Sequence, residues 1–125
     1  MAEKDGKKLA KFERQLYGNF DEILNCLHNT IMRNSTTVSY EDGSDFSTNS
    51  CRCAIRSYER YTYLGKGRVS LTFTLLESDG KIFVSAISSG GSQAMFFKIN
   101  TIGERNFLDT ISGVIESYSY NRREY

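Results

Sequence analysis

The sequence predicts an α+β fold: an antiparallel meander of about five strands with two amphipathic helices packed on one face. Three observations predict it. Apolar residues recur at helical spacing in two stretches, over residues 20–31 and 107–118. Between them the period falls to two, in runs rich in β-branched and aromatic residues. Short glycine-containing turns separate several of those runs, and strands joined in that way pair as antiparallel neighbours.

The elements follow in order. Residues 1–8 are mostly charged and are expected to be flexible, as is the polar tail over 119–125. "LAKFERQLYG" sets Leu9, Phe12 and Leu16 among charges. A strand carrying Phe12 and Leu16 on one face is preferred to a helical turn, because Gly18 breaks the pattern before a clear helix begins. In that helix Asn19 is the N-cap, and Glu22 sits where a capping box requires it. Asp21 and Glu22 also suit the positive end of the helix dipole. Phe20, Ile23, Leu24, Leu27 and Ile31 make one apolar stripe, so one face is buried.

"TTVSYE" then reads as a strand that ends in "EDGSDFSTNS", a polar connection. "CRCAIRSYERYTYL" is a long strand, turned by "GKG" into "RVSLTFTLLES", where Val69, Leu71, Phe73 and Leu75 alternate with Ser70, Thr72 and Thr74. Asp79-Gly80 is a two-residue hairpin turn leading to "KIFVSAIS". After "SSGGSQ", the segment "AMFFKIN" reads as a further strand. Thr101 with Glu104 signals the start of the last helix, whose stripe is Phe107, Leu108, Ile111, Val114, Ile115 and Tyr118. With no internal repeat and no linker, residues 1–125 are expected to form a single domain. The sheet either closes around the C-terminal helix in a helix-grip arrangement or stays flatter, as one layer of a sandwich.

Composition narrows the function. Sixteen basic and fifteen acidic residues leave a net charge of +1, which supplies no bulk attraction to nucleic acid or an anionic membrane. No signal-peptide pattern and no membrane-spanning apolar run is present. Three cysteines, an odd number, suit a reducing cytoplasm.

Among chemistry-bearing residues, Arg52, Arg56 and Arg60 lie four apart on one predicted strand, with Ala54 and Tyr58 between them on the same face. An arginine–tyrosine stripe on an open sheet face could take a phosphate or carboxylate in bidentate fashion. The bland alternative is a solvated face whose arginines pair with acids. In "SSGGSQ", Ser89, Gly90, Gly91 and Ser92 form a hairpin connection with a secondary reading as a backbone ligand contact. The run feeds a strand, not a helix N-terminus, so it lacks the layout of a phosphate cradle.

Cys51 and Cys53 share a strand face with Ile55, which is read as the core face. Cys26 and His28 point about 200° apart on the first helix, so these four do not form a zinc site, and no metal or cofactor is expected. His28 borders an apolar stripe and reads as structural. Glu41, Asp42 and Asp45 do not follow a calcium-loop spacing and read as a turn.

The stretches "EDGSDF", "CAIRSYERYTYLGKGRVSLTFTLL" and "SAISSGGSQAMFFKINTIGE" resemble a family of short bacterial proteins classed as a domain of unknown function. The likeness runs from about Phe12 to Ile115. It implies a stand-alone cytoplasmic bacterial domain and carries no catalytic residue. The reading is therefore a non-catalytic binding module for a small anionic ligand or a protein partner. Homo-oligomerisation through the sheet, as in a homodimer, is the alternative. An enzyme using His28 or the 41–45 carboxylates ranks third, since no paired acid and base groups accompany them.

Overall fold

A computed structural model of the protein describes residues 3–4, 7–34, 36–61, 67–90 and 101–120, with side chains for all of these except 3–9 and 101–106. The elements are β1 (Glu3–Lys4), β2 (Lys7–Leu16), α1 (Phe20–Asn34), β3 (Ser39–Ser47), β4 (Cys51–Tyr61), β5 (Arg68–Ser78), β6 (Lys81–Gly90) and α2 (Thr101–Ser117). The strands form one antiparallel sheet in the order β1-β2-β6-β5-β4-β3. The sheet is open, so of the two expected closures the flatter two-layer form is the observed one. Strands β3 to β6 make the meander, and β2 lies against β6 on the far side.

Local chemistry accounts for the elements. Asn19 Oδ1 accepts the Glu22 backbone N–H at 2.9 Å, which caps α1. The reciprocal half of the capping box is diverted: Glu22 Oε2 accepts the Tyr118 hydroxyl at 2.9 Å, tying the start of α1 to the end of α2. Asp79 and Gly80 both have positive φ, 54° and 78°, as the hairpin turn between β5 and β6 requires.

All five stripe residues of α1 are buried. With Phe107, Leu108, Ile111 and Ile115 of α2 they cover one face of the sheet. That face presents Leu16 from β2, Ala54 and Tyr58 from β4, Val69, Leu71, Phe73 and Leu75 from β5, and Ile82, Val84 and Ala86 from β6. The strand expected at 9–17 is β2, with Phe12 and Leu16 on the core side as read.

Two boundaries differ from the sequence reading. "EDGSDF" is not a connection but the body of β3, and the turn is at Thr48–Ser50, where the Thr48 hydroxyl accepts the Cys51 N–H at 3.1 Å. An edge strand with both faces in solvent needs no apolar alternation, so its pattern is silent. A register shift between Tyr40 and Asp42 disrupts it further. Also, β2 begins at Lys7 and β1 pairs with it, so strand structure reaches into the first eight residues. The strand expected over "AMFFKIN" lies outside the described residues.

Candidate functional site

The face assignment of β4 is inverted relative to the sequence reading. Ala54 and Tyr58 are buried against the helices, while Ile55 retains 36% of its surface and Cys51 and Cys53 are half-exposed. The register explains it: Tyr58 lies opposite Leu71, Arg56 opposite Phe73 and Ala54 opposite Leu75, all on the core side of β5. The phase holding Arg52, Arg56, Tyr58 and Arg60 is thus the helix-covered face, and the cysteine phase is the open one.

Three arginines are accommodated on the core side because β4 lies toward the rim of the helix layer. Their stems cover apolar surface and their heads reach acids or rings. Arg52 forms a two-bonded pair with Asp21 at the start of α1, at 2.6 and 3.1 Å, and its guanidinium lies 4.2 Å from the Phe20 ring centroid. That hydrogen-bonded guanidinium holds the Asp21 carboxyl below its ordinary range. Arg56 bonds Asp45 at 3.0 Å and the Ile55 carbonyl at 2.9 Å. Arg60 lies 4.6 Å over the Phe107 ring, where burial lowers its affinity for the proton.

Tyr58 is fully buried, and its hydroxyl is 2.7 Å from His28 Nδ1. Burial pushes the Tyr58 phenol above its ordinary value. His28 also stands edge-on to Tyr40, with ring centroids 5.6 Å apart. The lone imidazole therefore satisfies a buried phenol, the structural role read for it.

The acidic cluster has a different role from the turn assigned to it. Glu41, Asp42 and Asp45 lie on the sheet's outer edge strand, and Asp42 Oδ1 accepts the Gly43 N–H at 2.8 Å. Charges and a bulge on an edge strand block pairing with another sheet. Among the described residues no group of three or more potential ligands could hold a metal ion. A shallow polar cleft of about 440 Å³ lies between the β3–β4 and β5–β6 turns, bordered by Asn49, Arg52, Glu77 and Asp79.

In the glycine-serine run, Ser89 is on the open face, where its hydroxyl and carbonyl each lie 3.2 Å from the Ser70 hydroxyl. Gly90 has φ of 129°, and a Cβ there would run into the Arg68 carbonyl, so this position demands glycine. Gly91 and Ser92 lie outside the described residues.

Among the described residues no element covers the opposite face of the sheet. One row across it reads Phe46, Cys53, Leu76, Phe83, Gln15, and the next Ser44, Ile55, Thr74, Ser85, Glu13. A third reads Asp42, Ser57, Thr72, Ile87, Lys11. Phe46, Phe83 and Ile87 retain 65%, 41% and 43% of their surface. The hydroxyls between them are already paired: Ser57 with Thr72 at 3.0 Å, Ser70 with Ser89, and Ser85 donating to Glu13 at 2.8 Å. Sequence reasoning passed over Phe83 and Ile87. The signal was "KIFVSAIS", apolar on both phases, one of which must face outward.

A family described as of unknown function (DUF6054) matches residues 9–119. The chain belongs to this family. A search of curated proteins returns no match for this DUF6054 member. Among solved structures, hypothetical protein jhp0584 from Helicobacter pylori is similar to it with a TM-score of 0.53 at 9% identity. That match covers 90% of this chain and 88% of the other, and it shows a shared fold. LpqN of Mycobacterium tuberculosis, involved in cell envelope biogenesis, gives a TM-score of 0.44 at 15% identity. The match covers 86% of this chain and 60% of the LpqN chain, so the DUF6054 chain spans less than two thirds of it. Among the described residues, no helix is long and apolar enough to cross a membrane.

Proposed function

We propose that this DUF6054 protein is a non-catalytic interaction module whose contact surface is the open face of its sheet. The observation that carries the reading is the exposure of Phe46, Ile55, Phe83 and Ile87 on a face where Ser57 pairs with Thr72, Ser70 with Ser89 and Ser85 with Glu13. A partner covering that face gains apolar burial and strands few polar groups, which is what the centre of a protein interface requires. A protein partner fits better than a small anion. An anion at the arginine stripe would have to displace Asp21 from Arg52 or Asp45 from Arg56. A reducing compartment, the cytoplasm, suits the three free cysteines.

The test is whether the face can be stripped of its aromatic groups without loss of the fold. Phe46→Ser with Phe83→Ser should unfold in urea within about 2 kcal/mol of the wild type, since Phe46 is mostly solvated and Phe83 only partly buried. A loss of about 4 kcal/mol or more, the scale of emptying a core position, would assign these rings to the fold and remove the contact reading.

A further inference from the structure

We infer that the partner of the open face is a second copy of this chain, packed sheet to sheet about a two-fold axis running along β5. This rests on the contact-surface reading and adds the identity of the occupant. β5 is the middle strand of the five from β2 to β3; its open-face residues Ser70, Thr72, Thr74 and Leu76 carry no charge, and Arg68 at its start is paired with Glu59 at 2.6 Å. From Ser70 to Leu76 it can therefore lie on its own copy without like-charge repulsion.

At the flanks Lys11 on β2 and Asp42 on β3 are of opposite sign, while Glu13, the acid on the β2 flank, is engaged by the Ser85 hydroxyl. In the row Lys11, Ile87, Thr72, Ser57, Asp42, a two-fold axis along β5 exchanges the two ends. Lys11 then faces Asp42 of the partner subunit, and the pair occurs twice by symmetry. In the neighbouring row Leu76 packs on its own copy, and Phe83 covers Cys53 of the partner subunit. Aligned sheets cross at about 30°, which shifts the flanks by a residue or two and keeps Lys11 within reach of the acidic edge.

Size and geometry agree. Five strands about 4.8 Å apart and some eight residues long at ~3.3 Å each present roughly 600 Å² per copy. Two copies bury roughly 1,200 Å², the lower bound for a specific association, so the dimer is weak and depends on concentration. Edge-to-edge assembly through β3 is opposed by its bulge and its acids.

Sedimentation velocity on the full chain, over about a hundredfold range of concentration, tests this. The wild type should show a monomer–dimer equilibrium. Lys11→Asp or Asp42→Lys alone should weaken it about fivefold to tenfold, and the two together should restore it. Phe83→Ser should abolish it. These are surface substitutions, and circular dichroism verifies that each variant is folded. A wild type that stays monomeric throughout overturns the inference, as does a charge-reversed double variant weaker than either single one. If the monomeric wild type still binds an uncharged apolar dye on this face, only the self-association fails. If it binds none, the contact surface fails with it.

Discussion

Replacing Tyr58 and Ile55 separately by alanine decides which phase of β4 faces the core. Tyr58 is completely buried, in ring contact with Phe73 at a 6.1 Å centroid distance, and its hydroxyl is bonded to His28. Truncating a buried aromatic ring costs about 3–5 kcal/mol, and leaving the His28 nitrogen without its partner adds about 1 kcal/mol. Tyr58→Ala should therefore cost about 4–6 kcal/mol, a large share of the roughly 5–15 kcal/mol a domain has. Ile55 is 36% exposed, so Ile55→Ala should cost only about 1–1.5 kcal/mol. In urea, with a slope of about 2 kcal/mol/M, the two midpoints should differ by roughly 1.5–2 M. Should Tyr58→Ala fail to fold, Tyr58→Phe isolates the hydroxyl and should cost about 1 kcal/mol. If Ile55→Ala proves the costlier of the two alanine variants, or Tyr58→Ala is nearly neutral, the cysteine phase is the core phase and the open face is misassigned.

Other positions test the frame around that face. Gly90→Ala should destabilise by about 2 kcal/mol in the same assay, because φ of 129° and the Arg68 carbonyl leave no room for a Cβ. Asn19→Ala should cost about 1 kcal/mol and Asn19→Asp almost nothing, since the cap needs only an acceptor oxygen. Stability should also fall at alkaline pH. Burial, aided by Glu22, pushes the Tyr118 phenol up from 10.0 to about 12, and burial raises Tyr58 as well. Both hold their protons more tightly folded than unfolded. Their stabilising contribution is therefore complete below about pH 10 and is lost as pH rises through the folded values. Tyr118→Phe should flatten the decline in unfolding free energy between about pH 10 and 12; an unchanged slope would remove Tyr118 from the account.

How much of this was legible in the sequence depended on whether a segment had one buried face or two competing ones. Both helical stripes, the Asn19 cap, the Asp79-Gly80 turn and the alternation of β5 could be read directly, because each has a single apolar phase matched to its geometry. β4 has two plausible phases. Arg52, Arg56 and Arg60 made one look solvated, although Ala54 and Tyr58 belong to it. What resolves the ambiguity is the pairing of Asp21 and Asp45 with Arg52 and Arg56, contacts 31 and 11 residues apart that no local pattern reveals. β3 was hidden for another reason: at the edge, with solvent on both sides, burial imposes no period. The candidate site moved accordingly, from the arginine stripe to the opposite face.

The central claim is that this opposite face is an exposed apolar contact surface, and binding of Nile red to the diluted protein tests it most directly. The dye is uncharged, so the arginines cannot draw it, and dilution to sub-micromolar protein dissolves a weak self-association. The wild type should enhance the dye's fluorescence, and the folded Phe46→Ser/Phe83→Ser variant should not. Equal enhancement by the two proteins, or none by the wild type, would contradict the claim.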